Sequence, residues 1–534
     1  MIGETIVERD FMRPGKSVAL AGKAMVATSH PQATRAALRI LEAGGNAVDA
    51  AIAAVALQGV IDPHMTGIGG DCFALYAPAG KTPIALNGSG RAPAAATVER
   101  LTALGLKAIP DGSIHAVTIP GAVDAWSQLS TRYGRLGLAA ILKPAIDAAY
   151  EGFVITPRVA HDWARYADRL RPYPASVAQY LPGGLPPAVG ARLDNPTLGA
   201  TLEHIAREGR DAFYKGAVAE DMVATLQSLG GLHKIEDFAT YSAFETQPIA
   251  AAYRGYELLE CPPNGQGLAA LIIARILDGF DLADPDLSEA DRIHLFAEAT
   301  KAAYRQRDLY IADPDAMRHS VEDLLAEPFI AGLRGKIDMA RASAVADYDM
   351  PVHRDTVYVT VVDAEGNAIS LINSIFFAFG SGIYAPKAGV LLQNRGCGFS
   401  LDPESPNAIG PRKLPFHTII PAIVMRDGRP VMSFGVMGGQ YQAVGHVHIL
   451  SQIVDRGLDV QMASDQPRSF FTDGAISLEP TIPAEVKHEL ERRGHATRWA
   501  DEPLGGCQAI WIDRERNVLW GASDHRKDGV ALGL

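Results

Sequence analysis

The chain has 534 residues, 48% of them hydrophobic and 21% charged, with a formal net charge of −12. That balance describes a globular protein with ample core, and the acidic excess excludes a chain-wide basic face for nucleic acid or an anionic membrane surface. Four cysteines, Cys72, Cys261, Cys397 and Cys507, stand far apart without C-x-x-C spacing, which excludes a disulfide framework or a zinc ribbon. No run approaches the ~20 apolar residues of a membrane span. The opening MIGETIVERDFMRPGKSVAL carries acidic residues and no continuous apolar core, so a secretory signal is not expected and the cytoplasm is the expected location. By length alone several domains of ~100–200 residues are an upper bound.

In chain order, residues 1–23 read as a flexible lead-in. Pro31 to Ala43 carries Ala, Leu and Ile at helical spacing, with Gly44-Gly45 as a stop. Asn46 can cap a second helix, Ala47 to Gly59, whose Ala/Val content predicts burial on most sides. Asp62-Pro63-His64 turns into TGIGGD (66–71) and then a strand, Cys72 to Tyr76. A phosphate-cradling glycine turn follows a strand and opens a helix, whereas this one leads into a strand, so close backbone packing is the expected role of Gly67, Gly69 and Gly70. In LNGSGRAPAAAT (86–97), Arg91 is either a surface charge or a fork for a carboxylate. From Pro144 to about Ala346 the pattern is mostly helical, with loop clusters at Arg171–Pro187, expected at the surface, and Glu260–Gly267. No internal repeat appears at 20–50 residue periods.

The chain is organised around HRDTVYVTVVDAEGNAISLINSIFFAFGSG (353–382). Alternation and β-branched residues predict a strand whose first residue is Thr356. Asp363 to Asn367 supplies turn chemistry, and Ala368 to Phe377 reads as the returning strand. A Thr hydroxyl is a poor nucleophile because nothing local removes its proton. If the chain is cut before Thr356, the new α-amine, with an unperturbed pKa of roughly 7.7–8.0, becomes that base on the same residue. Further on, GVLLQNRGCGF (389–399) reads as a strand and a Gly-rich turn, and GVMGGQYQ (435–442) as a tight turn opening a helix. His446-Val447-His448 would aim two ligands one way only on a strand, and this segment reads as helix, so no metal is expected there. Gln508 to Val530 reads as strands completing a sheet. A serine-triad hydrolase is disfavoured, since no G-x-S-x-G elbow occurs.

DTVYVTVVDAEGNAIS, FGSGI, GVLLQN and PAIV…GVMGG resemble the small-subunit half of the γ-glutamyltransferase family. The resemblance continues through GGNAVDAAIA (44–53), TGIGGDCFAL (66–75), IPGAV (119–123), DAFYKG (211–216), YRGYELLECPP (253–263) and EATKAAYRQRDLYIADP (298–314), in order along nearly the whole chain. It implies an α/β fold, an αββα sandwich of the N-terminal-nucleophile hydrolase type. It also implies self-cleavage between Asp355 and Thr356 into a large fragment (1–355) and a small one (356–534) that stay together as an intertwined heterodimer, with further dimerisation left open. The roles it implies are Thr356 as nucleophile, Ser374 as the hydroxyl that orients the terminal amine, and the N–H groups of Gly438 and Gly439 as the oxyanion hole. No metal or organic cofactor is implied, and the partners are a small-molecule amide and water.

The departures from the family pattern concern the substrate. Positions where the family reads an amino-acid head are Arg395 and Gly398 here; its Asn after the second Thr is Phe376, and its Ser-Ser pair is His417-Thr418. Anchored on Ala92-Pro93-Ala94, the family's carboxylate-holding Arg falls on Ser89, with Arg91 two residues along. The loop from Phe399 to Pro415 is short, so a lid over the site is not expected. Loss of amino-acid readers with gain of Arg395 and His417 resembles the oxamate amidohydrolase branch and points to a small amide bearing a carboxylate, held by Arg91, Arg395 or His417. A γ-glutamyl hydrolase or transferase is the runner-up, a cephalosporin-type acylase stands behind it, and an inactive binding relative that does not cleave itself is the alternative from another class.

Overall fold

The computed structural model describes residues 15–344 and 356–534. Two seven-stranded sheets form its centre. One runs Val530–Gly533, Met25–Thr28, Val357–Val362, Ala368–Ser374, Asp71–Ala77, Ile84–Gly88, Phe244–Thr246; the other runs Ala19–Ala21, Val518–Ser523, Gly506–Asp513, Arg429–Met437, Ala422–Arg426, Tyr256–Glu260, Ile249–Tyr253. Strands from before and after residue 356 are mixed within both of these sheets, so neither central sheet belongs to one half of the chain alone.

Period-two alternation sorts the central strands into layers. Val357, Val359 and Val361 face outward with Cys72 and Ala74 into a core shared with the first helices, whereas Tyr358, Ile372, Phe73 and Leu75 face inward with Ile423 and Ile510 of the other sheet. The outward face of the second sheet packs on the helices Gly267–Leu277 and Tyr441–Val454, and Glu289–Tyr310 packs on the first of these. The result is helix, sheet, sheet, helix: the expected αββα sandwich.

The helix Ala47–Ile61 is buried at every residue, as an all-round apolar, small-residue sequence requires. Asn46 and Asp49 close a reciprocal capping box at its start. The N–H of Ala47 goes to Asp363 Oδ2 at 2.9 Å, and Asp363 Oδ1 takes the N–H groups of Glu365 and Asn367 at 3.0 Å each. One carboxylate thus shapes the hairpin turn and docks a helix on it.

Four expectations are corrected. The returning strand ends at Ser374, not Phe377, because Phe376 and Phe379 adopt φ of 81° and 59°, incompatible with a strand. Three strands lie between Phe244 and Glu260 inside the stretch read as helical; Ala and Glu hide their β character, and pairing in the sheets overrides it. The lead-in contributes Ala19–Ala21, paired with Leu519–Gly521. The Arg171–Pro187 segment contains the helix Pro174–Tyr180 with Ser176 and Tyr180 buried, so it is not wholly surface. Residues 1–14 and the Asp355 side of the expected cleavage site lie outside the described residues.

Candidate active site

Thr356 stands immediately before the Val357–Val362 strand and is 1% exposed. Val357 pairs with Asn373, so the same antiparallel register sets Thr356 opposite Ser374, and Ser374 in turn pairs with Asp71 on the next strand. Residues directly opposite each other point to one face. Thr356, Ser374 and Asp71 therefore form a row on the face that looks between the sheets.

The row continues as a chain of contacts. Thr356 Oγ1 lies 3.2 Å from Ser374 Oγ. Ser374 Oγ accepts the N–H of Phe376 at 2.9 Å, and that bond helps hold Phe376 in its left-handed conformation, a strain typical of functional sites. The Arg395 guanidinium stacks 3.7 Å from the centre of the Phe376 ring and donates from Nη1 to Thr418 Oγ1 at 2.9 Å. Arg395 is fully buried, and its Nε and Nη2 have no acceptor among the described residues.

Asp71 completes this corner. Its Oδ1 accepts Gly90 N–H at 2.9 Å and Gln393 Nε2 at 2.7 Å, and its Oδ2 accepts His417 Nε2 at 2.9 Å. The Ile419 N–H points at His417 Nδ1, 3.3 Å away, so the proton of a neutral imidazole sits on Nε2. Burial pushes the Asp71 carboxyl up to about 7, against the pull of the Arg395 charge. The same burial brings the Arg395 guanidinium down to about 9, with Asp71 opposing, so it remains a cation near neutral pH.

Glycines before this row do what close packing demands. A Cβ on Gly69 would run into the Leu391 carbonyl, and one on Gly70 into the Ser374 carbonyl, so the TGIGGD turn lies directly against the Ser374 backbone. Downstream, Gly438 and Gly439 adopt φ of 116° and 57° between the strand ending at Met437 and the helix beginning at Tyr441. Gln266 Nε2 donates to both Thr418 O (2.7 Å) and Gly439 O (2.9 Å), tying this turn to the segment that Arg395 bonds. Among the described residues no backbone carbonyl takes the N–H of Gly438 or Gly439. Met437 and Thr356 line one small cleft with Asp62, His64, Asp162 and Lys527.

Of the residues singled out in the sequence, the structure brings together Thr356, Ser374, Phe376, Arg395, His417 and Thr418, with Gly438-Gly439 joined through Gln266. Arg91 is not among them. Its Nη1 donates to Arg412 O at 3.0 Å, and it lines a separate recess with Tyr241 and Arg412. Ser89, at the family's Arg position, is buried and its Oγ accepts from Asn264 Nδ2 at 2.9 Å. His417 is engaged by Asp71, so Arg395 is the group with donors to spare. His446 and His448 lie on a helix as expected, and His446 Nδ1 pairs with buried Glu260 at 2.6 Å. Sequence reasoning passed over Asp71, whose one signal is an acid opening a strand after a glycine turn.

Residues 33–534 match the family model described as Gamma-glutamyltranspeptidase. The chain is 36% identical over 523 residues to the "Glutathione hydrolase-like YwrD proenzyme" of Bacillus subtilis (strain 168), covering 96% of this chain and 98% of that one. It is 35% identical over 526 residues to the "Oxamate amidohydrolase proenzyme" of Klebsiella pneumoniae, covering 95% and 98% respectively. Among solved structures, a cephalosporin acylase from Bacillus halodurans superposes with a TM-score of 0.93 at 38% identity, covering 99% of each chain.

Proposed function

From the premise that this chain belongs to the gamma-glutamyltranspeptidase family, we propose that it is a self-cleaving, N-terminal-threonine amidohydrolase acting on a small amide that carries a carboxylate. The observation that carries the substrate half is Arg395. A buried cation with two donors unmet is costly, and a planar carboxylate matches the guanidinium fork. Contacts through Phe376 and Ser374 place that fork within a few side chains of Thr356, which suits a substrate whose carboxylate sits close to its amide.

In the chain as synthesised, Thr356 Oγ attacks the carbonyl carbon of residue 355, the peptide nitrogen leaves, and water hydrolyses the resulting ester. Scission frees the Thr356 amine. That amine then takes the Oγ proton as the hydroxyl attacks the substrate amide and returns it to the departing nitrogen. The oxyanion forms against the N–H groups of the Gly438-Gly439 turn, which is fixed before the reaction and needs no rearrangement. Ser374, at 3.2 Å from Thr356 Oγ1, stands where it can orient the freed amine. Water resolves the acyl-enzyme. Because strands of both fragments are mixed within both central sheets, the fragments remain one particle after cleavage.

The test is a direct comparison of ammonia release from oxamate with p-nitroaniline release from a γ-glutamyl anilide. Faster turnover of oxamate supports the reading; preference for the anilide assigns the chain to γ-glutamyl chemistry, the role printed in the names of its glutathione-hydrolase relatives.

A further inference from the structure

Outside the catalytic site, three ligand-type side chains converge on one buried point. His294 and Glu298 stand one turn apart on the Glu289–Tyr310 helix. His495 follows the Ala484–Arg492 helix, where Gly494, at φ 94°, lets the chain reverse while Gly494 N–H bonds to Glu491 O and His495 N–H to Leu490 O. Their donor atoms all lie within 4.8 Å of one another, and the three residues are 0%, 3% and 5% exposed.

The details go beyond proximity. His294 Nε2 donates to the Asp338 carbonyl at 2.9 Å, the backing that orients a metal-ligating imidazole. Its lone pair on Nδ1 then faces His495 Nε2 across 2.8 Å, so that contact needs the His495 proton on Nε2. Meanwhile His495 Nδ1 is buried with no partner among the described residues. Shifting the His495 proton to Nδ1 opens two facing nitrogen lone pairs, with Glu298 Oε1 at 3.9 Å from the second of them. An ion with metal–nitrogen bonds of ~2.0–2.1 Å would need donors about 3.3 Å apart, midway between the two spacings observed.

We propose that His294, Glu298 and His495 form a divalent metal site of the zinc class, with water in the fourth position. Two imidazoles and one carboxylate suit zinc over magnesium or calcium, which prefer all-oxygen shells. The site would pin the segment that leads toward residue 356. Both Glu298 oxygens hold Ser343 N–H at 3.2 Å, and the Ala342 N–H reaches Arg493 O at 2.7 Å. Ligands come from both sides of residue 356, so the ion would join the two parts of the chain. Lys301 is its built-in competitor. The ammonium lies 2.7 Å from Glu298 Oε1 and 4.7 Å from the centre of the Phe471 ring, and it opposes a second cation on the same carboxylate.

The test is zinc retention by the purified full chain, stripped with chelator, reloaded with zinc chloride, desalted and assayed for metal, with thermal melting alongside. Wild type should retain one equivalent and melt higher with zinc than without. H294Q and H495Q should lose that equivalent and the melting shift, and K301M should bind zinc more tightly than wild type. No zinc retained by wild type, or equal retention in H495Q, would overturn the assignment and leave Lys301 as the group that neutralises Glu298. Should the histidine variants fail to fold, the wild-type and K301M arms decide the matter by themselves.

Discussion

Thr356 meets a small neutral group, the Ser374 hydroxyl, and lines a cleft with Asp62, His64, Asp162, Lys527 and Met437, the residue before the Gly438-Gly439 turn. Around Arg395 the site is built from buried groups: Thr418 accepts from the guanidinium, the Phe376 ring lies beneath it, and the Asp71 carboxyl, bonded to His417, acts on it through its charge. In the proposed reaction the first region must leave a hydroxyl and an amine free to exchange a proton and must stabilise charge only while it exists. The second must hold permanent charge and wait for a counter-charge. The comparison teaches that, on the proposed function, reaction and selection are separate devices joined by one hydroxyl, Ser374. Changes at one end should then move kcat or processing, and changes at the other should move KM.

The largest effect that would sharpen this contrast belongs to T356A. It should abolish fragment formation and lower turnover by ~10⁵–10⁶-fold, as loss of a catalytic nucleophile does; gel analysis and ammonia release read both. Next comes G438A. Its added Cβ would meet Gly505 Cα at 2.8 Å, and the displaced oxyanion donor should lower kcat by ~10²–10³-fold, about 2.7–4 kcal/mol, with KM for oxamate little changed. A large KM change would join the two regions that the account separates.

R395M tests the other end. It should leave self-cleavage intact yet weaken kcat/KM for a carboxylate-bearing amide by about 2–5 kcal/mol, the usual cost of removing one partner from a buried charge pair. The same amide with its carboxylate esterified should be turned over equally by both proteins. Equal losses on the two amides would remove Arg395 from substrate recognition.

The smallest effect concerns pH. Burial pushes the Asp71 carboxyl up to about 7, and in the proposed function its carboxylate would compete with a bound anion for Arg395. As pH falls through that value Asp71 takes up a proton, the competition ends, and oxalate as a competitive inhibitor should bind more tightly, by several-fold. D71N should bind oxalate with little change across the same range. A wild-type inhibition constant that rises as pH falls would reverse the assigned sign.

How much of this was legible follows from the kind of signal each part leaves. Strand–turn–strand chemistry from Thr356 to Ser374 is local, so alternation and Asp363 to Asn367 mark it well, as Asn46 marks the start of its helix. The Gly438-Gly439 turn is legible because only glycine tolerates its backbone. Arg395 stood out as a cation at a position where the family resemblance implies an amino-acid reader. The pairing of Asp71 with His417 was not legible, since residues 346 apart meet only through the register of three strands. Arg91 was ambiguous because a charged residue beside glycines looks the same whether it faces a substrate or, as here, donates to the Arg412 carbonyl. The strands at 244–260 were missed for a related reason: their residues favour helix or loop, and only the partner strands make them extended.

The central claim is that Thr356 becomes a free N-terminus and then the nucleophile. Intact mass of the purified protein with N-terminal sequencing tests it most directly. The account predicts two fragments, residues 1–355 and 356–534, the smaller beginning Thr-Val-Tyr-Val. A single unbroken chain after prolonged incubation would contradict it and leave a binding protein on a hydrolase scaffold.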